Sequence, residues 1–130
     1  MNTELFYLVC AATFTGLMFL PYVLNRIMVW GLADTVGYPA NPKPLAPWAE
    51  RLRKAHSNAV ENLAVFAALL LSAHAAGVSG PAIGGLAMLY FWARVVHAGA
   101  YTFALPWVRT FGFFGGFIAQ MGIAWLLLAR

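Results

Sequence analysis

Arg51, Lys54, Asn58 and Glu61 recur at intervals of 3, 4 and 3 residues. At a helical 100° per residue they share a stripe about 80° wide. Tyr90, Arg94, His97 and Tyr101 recur at 4, 3 and 4, a stripe about 60° wide on the same reckoning. Arg109 and Thr110 follow a short Leu105-Pro106-Trp107 turn. Cations and hydrogen-bond donors outnumber carboxylates in this set. Such a cluster suits an anion: a ligand carboxylate, or a thiolate developing on a sulfur nucleophile. A free thiol titrates at about 8.5, and only its thiolate is nucleophilic. A nearby arginine favours the charged form and stays protonated, so it acts electrostatically and not as a base.

The elements that carry these residues are membrane helices. Of 130 residues 62% are hydrophobic and only 9% charged, against about 25% charged in an average soluble domain. A soluble domain of this size has no interior large enough for that apolar surface, so lipid must cover part of it. One domain over 1–130 is expected. Four spans are predicted, at about 5–30, 48–76, 82–105 and 107–129, each long enough for a hydrocarbon core about 30 Å thick. Pro21 predicts a kink near the end of the first. The first charge is Glu4, without a basic cluster, which argues against a cleaved signal. The segment from Asp34 to Pro47 contains Pro39, Pro42, Pro44 and Pro47 and reads as a loop. Gly77 to Pro81 reads as a tight turn, and Pro106 as the end of the third span.

Charge placement predicts orientation. Arg26, Lys43, Arg51, Arg53, Lys54 and Arg109 gather at one end, whereas the Gly77–Pro81 turn carries no charge. The positive-inside rule puts the basic end in the cytoplasm and both termini outside. An Ala- and Gly-rich chain of this kind reads as bacterial, which makes the inner membrane its expected location, with periplasmic termini.

An ionisable residue within a span costs roughly 2.5–3.5 kcal/mol on insertion scales, so it needs a partner or a task. Arg94 would lie about 18 Å along its helix at 1.5 Å per residue, well inside the hydrocarbon. Glu61 would reach a similar depth from the basic end, and a close approach of Glu61 to Arg94 is expected. One reading of that pair is purely structural, an ion pair that holds helices together. The gathering of Arg51, Lys54, Arg94, His97, Tyr101 and Arg109 on one half of the bundle favours a ligand. No metal site is expected, because His56, His74 and His97 share no face with carboxylates at ligand spacing. Cys10 is the single cysteine, which excludes a disulfide within the chain. Gly112-x-x-x-Gly116 predicts close helix packing.

The motifs resemble those of the MAPEG family, the membrane-associated proteins in eicosanoid and glutathione metabolism. Glu50-Arg51-x-x-Lys54-Ala55-His56-x-Asn58-x-x-Glu61 is similar to the family's E-R-x-x-R-A-x-x-N-x-x-E segment. Arg94-x-x-His97-x-x-x-Tyr101 is similar to its R-x-x-H/Y-x-x-x-Y segment, and Arg109-Thr110 to its R-S/T pair. His97 follows the prostaglandin E synthase and microsomal glutathione transferase type. The resemblance implies an all-α membrane protein, a four-transmembrane-helix bundle assembled as a homotrimer. It implies glutathione as cosubstrate, bound between protomers near the basic end. Carried over, Asn58 and Glu61 would hold its peptide and amino group, and Arg51 or Lys54 with Arg26 its carboxylates. Arg94, His97, Tyr101 and Thr110 would line the site, Arg109 would stabilise the thiolate, and Tyr101 would donate a hydrogen bond to its sulfur. Lys54 departs from the family's arginine and offers a point charge in place of a planar fork.

The implied function is a glutathione-dependent transferase or peroxidase acting on lipophilic electrophiles that arrive through the lipid; isomerase chemistry is a further possibility of the same site. A non-catalytic scaffold that binds lipid or a partner protein is the alternative, since the family contains one such member, the five-lipoxygenase-activating protein. Nothing suggests nucleic acid as a partner, and the broken-helix pairs of many transporters are absent.

Overall fold

A computed structural model describes residues 1–130. The chain is all helical: α1 (Thr3–Leu17), α2 (Phe19–Trp30), α3 (Leu32–Val36), α4 (Pro47–Ala75), α5 (Pro81–Thr102) and α6 (Pro106–Leu128). α1 and α2 run on as one arm, so four long arms form the bundle. The arms Thr3–Trp30, Pro47–Ala75 and Pro106–Leu128 are long and apolar enough to cross a membrane. α5 has 22 residues, about 33 Å at 1.5 Å per residue. It is less apolar because Arg94 and His97 lie within it, yet both turn inward and are buried. α5 is the innermost arm and packs on α1, α4 and α6.

Prolines set the boundaries. Pro47, Pro81 and Pro106 each occupy the first turn of a helix, where a missing N–H costs nothing. Pro106 therefore opens α6 more than it closes α5, which ends three residues earlier than Leu105. The kink expected near Pro21 falls at Met18, between α1 and α2. Pro21 has no N–H to offer the carbonyl of Leu17, and its ring crowds that carbonyl. The break is thus felt one turn upstream. Part of the expected loop is helical: α3 covers Asp34 to Val36, ahead of the first loop proline. The rest is irregular and tied back, with Ala46 N donating to Asn25 Oδ1 at 3.0 Å and Trp30 Nε1 to the Lys43 carbonyl at 2.6 Å.

α5 ends on an unusual residue. Leu105 N donates to the Ala100 carbonyl at 2.8 Å and Ala104 N to the Tyr101 carbonyl at 3.3 Å, a Schellman-type cap. Its left-handed position holds Ala104, at φ 57°, where glycine is the usual choice. The equivalent turn after α4 does use glycine, Gly77 at φ 73°.

α5 and α6 make the closest approach. A Cβ on Gly112 would meet His97 N at 2.9 Å, and one on Gly116 would meet Arg94 Cδ at 3.3 Å. The expected small-residue packing is therefore real and lies on the helix that carries the buried cation. Farther along, Phe66 stacks on Tyr90 at 3.8 Å between centroids, within a core that includes Leu70, Ile83 and Ile123. In a bilayer such burial exchanges lipid for side chain, so close packing, not water exclusion, holds it. At the other end Ser79 Oγ donates to the buried Glu4 carboxylate, which ties the α4–α5 turn to α1.

Candidate functional site

The site begins at the end of α5. Tyr101 stands on its last turn, and the Schellman-type turn through Ala104 returns the chain so that Arg109 rises on the first turns of α6. Arg109 Cζ lies 5.0 Å from the Tyr101 ring centroid, a cation–π distance. Arg109 itself is exposed. Arg51 reaches across from α4 and donates from Nε to the Thr102 carbonyl at 2.9 Å. It thereby satisfies an end carbonyl of α5 and complements the negative end of that helix.

Two adjoining hollows share Tyr101 and Arg109. One is lined by Arg51, Ala104, Leu105 and Pro106 as well, and the other by Asn58, His97, Thr110 and Phe113. Their volumes are ≈ 270 and ≈ 310 Å³. Thr110 turns its hydroxyl to the Pro106 carbonyl at 2.9 Å. The His97 ring packs edge-on to Tyr101 at 5.6 Å.

Beneath the hollows lies Arg94, only 4% exposed. Its Nη2 donates to Asn58 Oδ1 at 2.5 Å. Its Nε and Nη1 are buried without a partner, as is Nδ1 of His97. No carboxylate meets this guanidinium. The expected Glu61–Arg94 approach is therefore not made, and the acceptor is Asn58.

Helical geometry explains this correction. Residues seven apart are nearly in line, so the four-residue stripe on α4 is two lines about 60° apart. Arg51 and Asn58 occupy one and turn toward α5 and α6. Lys54 and Glu61 occupy the other and are exposed. They line a separate hollow with Tyr22 and His56, where the Tyr22 hydroxyl and His56 Nδ1 are 2.7 Å apart. Arg26 stands apart too, over the Trp30 ring at 5.1 Å. The one ion pair in the chain is Arg53 with Glu50 at 3.0 Å. Within the chain, then, Arg51, Asn58, Arg94, His97, Tyr101, Arg109 and Thr110 come together, whereas Arg26, Lys54 and Glu61 do not join them.

This constellation is carried on α4, α5 and α6 in the order the motifs require. The MAPEG family pattern matches residues 7–129. The chain belongs to the MAPEG family. No curated protein and no solved structure matches it. MAPEG membership makes this an integral membrane protein of the helical-bundle class and ties it broadly to eicosanoid and glutathione metabolism.

Two polar residues escaped the sequence reading. Asn62 donates from Nδ2 to the Asn58 carbonyl at 2.9 Å and to Asn58 Oδ1 at 3.3 Å. Gln120, 4% exposed on α6, donates from Nε2 to the Asn62 carbonyl at 3.1 Å and to Asn62 Oδ1 at 3.4 Å. Both are uncharged, so a search for charge passed over them. The usable signal was a lone amide in the otherwise apolar second half of α6.

An apolar groove runs beside the site. Phe14, Leu17, Met18 and Pro21 at the α1–α2 break face Leu52 of α4 and Phe103, just past α5, across a space of ≈ 340 Å³, within the range of small-molecule sites.

Proposed function

We propose that this chain is a membrane-bound glutathione-dependent transferase or peroxidase that acts on lipophilic electrophiles. The observation that carries the reading is the imbalance at the site. Arg109 and Arg51 meet at the end of α5 and Arg94 lies buried about two turns deeper, with no carboxylate to answer them, and Arg94 keeps two buried donors unpaired. An unpartnered buried donor on a charged group is expensive, and an anionic thiol peptide would relieve it. In this reading Arg109 stabilises the glutathione thiolate and Tyr101 donates a hydrogen bond to its sulfur. The thiol proton leaves to solvent. The thiolate attacks the electrophilic carbon, a C–S bond forms, and the leaving group departs with its electron pair. Asn58, His97, Thr110 and Arg94 line the peptide portion.

The three residues that stand apart fit the same proposal through assembly. Glu61 and Lys54 are exposed on a transmembrane helix, where a charge facing lipid is costly. A second copy covering that face would bring Glu61, Lys54 and Arg26 to the cationic set of its neighbour. The proposed assembly is a homotrimer with one glutathione between each pair of protomers. The basic end is cytoplasmic, the termini are periplasmic and the membrane is the bacterial inner membrane; the charge asymmetry supports that orientation.

The apolar groove at the α1–α2 break also suits a non-catalytic scaffold that binds lipid or a partner. One assay separates the two. Wild type and Arg109→Ala are compared in detergent for glutathione binding and for conjugation to an aryl halide. The enzyme reading predicts binding and turnover by wild type, with turnover reduced about 10²–10³-fold in Arg109→Ala, the usual cost of one oxyanion-stabilising group. Absence of glutathione binding by wild type contradicts it. Binding without turnover, insensitive to Arg109, favours the scaffold.

A further inference from the structure

The amide chain Asn58–Asn62–Gln120 has a direction, and that direction is forced. A guanidinium can only donate, so the Asn58 atom facing Arg94 Nη2 at 2.5 Å is oxygen. A backbone carbonyl can only accept, so the Asn62 atom facing the Asn58 carbonyl at 2.9 Å is nitrogen. The same nitrogen reaches Asn58 Oδ1 at 3.3 Å. Gln120 likewise must turn nitrogen toward the Asn62 carbonyl at 3.1 Å, and that nitrogen also faces Asn62 Oδ1 at 3.4 Å. The relay is pinned at each step by a group that cannot reverse its role. It runs from α6 through α4 to the buried cation of α5. Outside a span water could replace these bonds; inside one, few alternatives exist.

Asn58 Oδ1 thus has both its lone pairs taken, one by Arg94 and one by Asn62. Only its Nδ2 group remains for the hollow it shares with His97, Tyr101 and Arg109. We infer that Asn62 and Gln120 are positioning residues that lock Asn58 as a hydrogen-bond donor, so that the site selects a ligand presenting an acceptor, a carbonyl or carboxylate oxygen, at that point. The inference rests on the glutathione reading for the identity of the ligand, but not for the relay itself.

Asn58→Asp tests it with two readouts. Aspartate keeps an oxygen against Arg94 and turns that contact into an ion pair, so thermal stability without ligand should be equal to wild type or higher. The second carboxylate oxygen then faces the ligand's acceptor, and glutathione affinity should fall about 100-fold or more, the scale on which sites reject a mispaired polar group. Gln120→Met, of similar length and apolar, should raise the KM for glutathione about three- to tenfold, the worth of one neutral hydrogen bond, with kcat little changed. In an Asn58→Ala background the same substitution should have no further effect on KM.

Loss of stability in ligand-free Asn58→Asp overturns the relay. Unchanged or tighter glutathione binding by that variant overturns the donor assignment. Additive effects of Gln120→Met and Asn58→Ala reduce Gln120 to a packing residue and overturn its positioning role. Failure of wild type to bind glutathione contradicts the proposed function instead, and the ligand-free stability of Asn58→Asp still decides the relay.

Discussion

Arg94 is the residue on which local chemistry turns. A buried guanidinium with one neutral acceptor is incompletely satisfied, and Asn58 is that acceptor. Asn58→Leu should therefore destabilise the protein by about 2–3 kcal/mol, the cost of stranding a charged donor. Thermal or denaturant unfolding in detergent would check this. Glutathione at 100 times its dissociation constant should raise wild-type stability by about 2.7 kcal/mol through mass action. The gain should be much smaller in Asn58→Leu, which has lost a proposed ligand contact. Charge asymmetry made the cluster visible in sequence. It did not reveal who pairs with whom: the stripe on α4 is wide enough to face two ways, and only packing selects the line that turns inward. The amides Asn62 and Gln120 carry no charge and so added nothing to that asymmetry.

At the scale of elements, two short segments hold the site together. The α5–α6 turn places Tyr101 and Arg109 side by side, and it does so through Ala104 at φ 57°. The left-handed conformation costs a residue with a Cβ roughly 1–2 kcal/mol. Ala104→Gly should recover about 1 kcal/mol of stability, offset in part by the greater freedom of glycine in the unfolded chain. A loss of stability in unfolding measurements would show that the Cβ makes a needed contact. Gly112 has the opposite constraint. Gly112→Ala would drive a Cβ to 2.9 Å from the backbone of His97 and should cost about 1–3 kcal/mol by overpacking, with Arg109 and His97 pushed apart. The arms themselves were legible from apolar runs and proline punctuation. The exact break at Met18 was less so, because a proline disturbs the carbonyl four residues before it.

For the whole molecule, the division of the polar set is the main consequence. One protomer gathers Arg109 and its neighbours on one side of α4 and leaves Glu61 on another. A site shared between copies predicts complementation. Glu61→Gln and Arg109→Ala chains, each with low activity alone, should regain activity when co-assembled, because some interfaces then carry both intact residues. No recovery on mixing would place the working site within a single protomer. Composition made the membrane setting plain, whereas the proposed assembly has only a faint trace in sequence, as charges on a helix face that a single chain does not cover.

The central claim is that Arg109 holds a glutathione thiolate. The most direct measurement is the pH titration of the bound thiol, followed by the ultraviolet absorbance of its thiolate, in wild type and Arg109→Ala. A cation beside the sulfur lowers the thiol's pKa, so the thiolate should persist below the pH at which free glutathione loses it. In Arg109→Ala the midpoint should climb back toward about 8.5. A wild-type midpoint at the free value, or the same lowered midpoint in both proteins, would contradict the account.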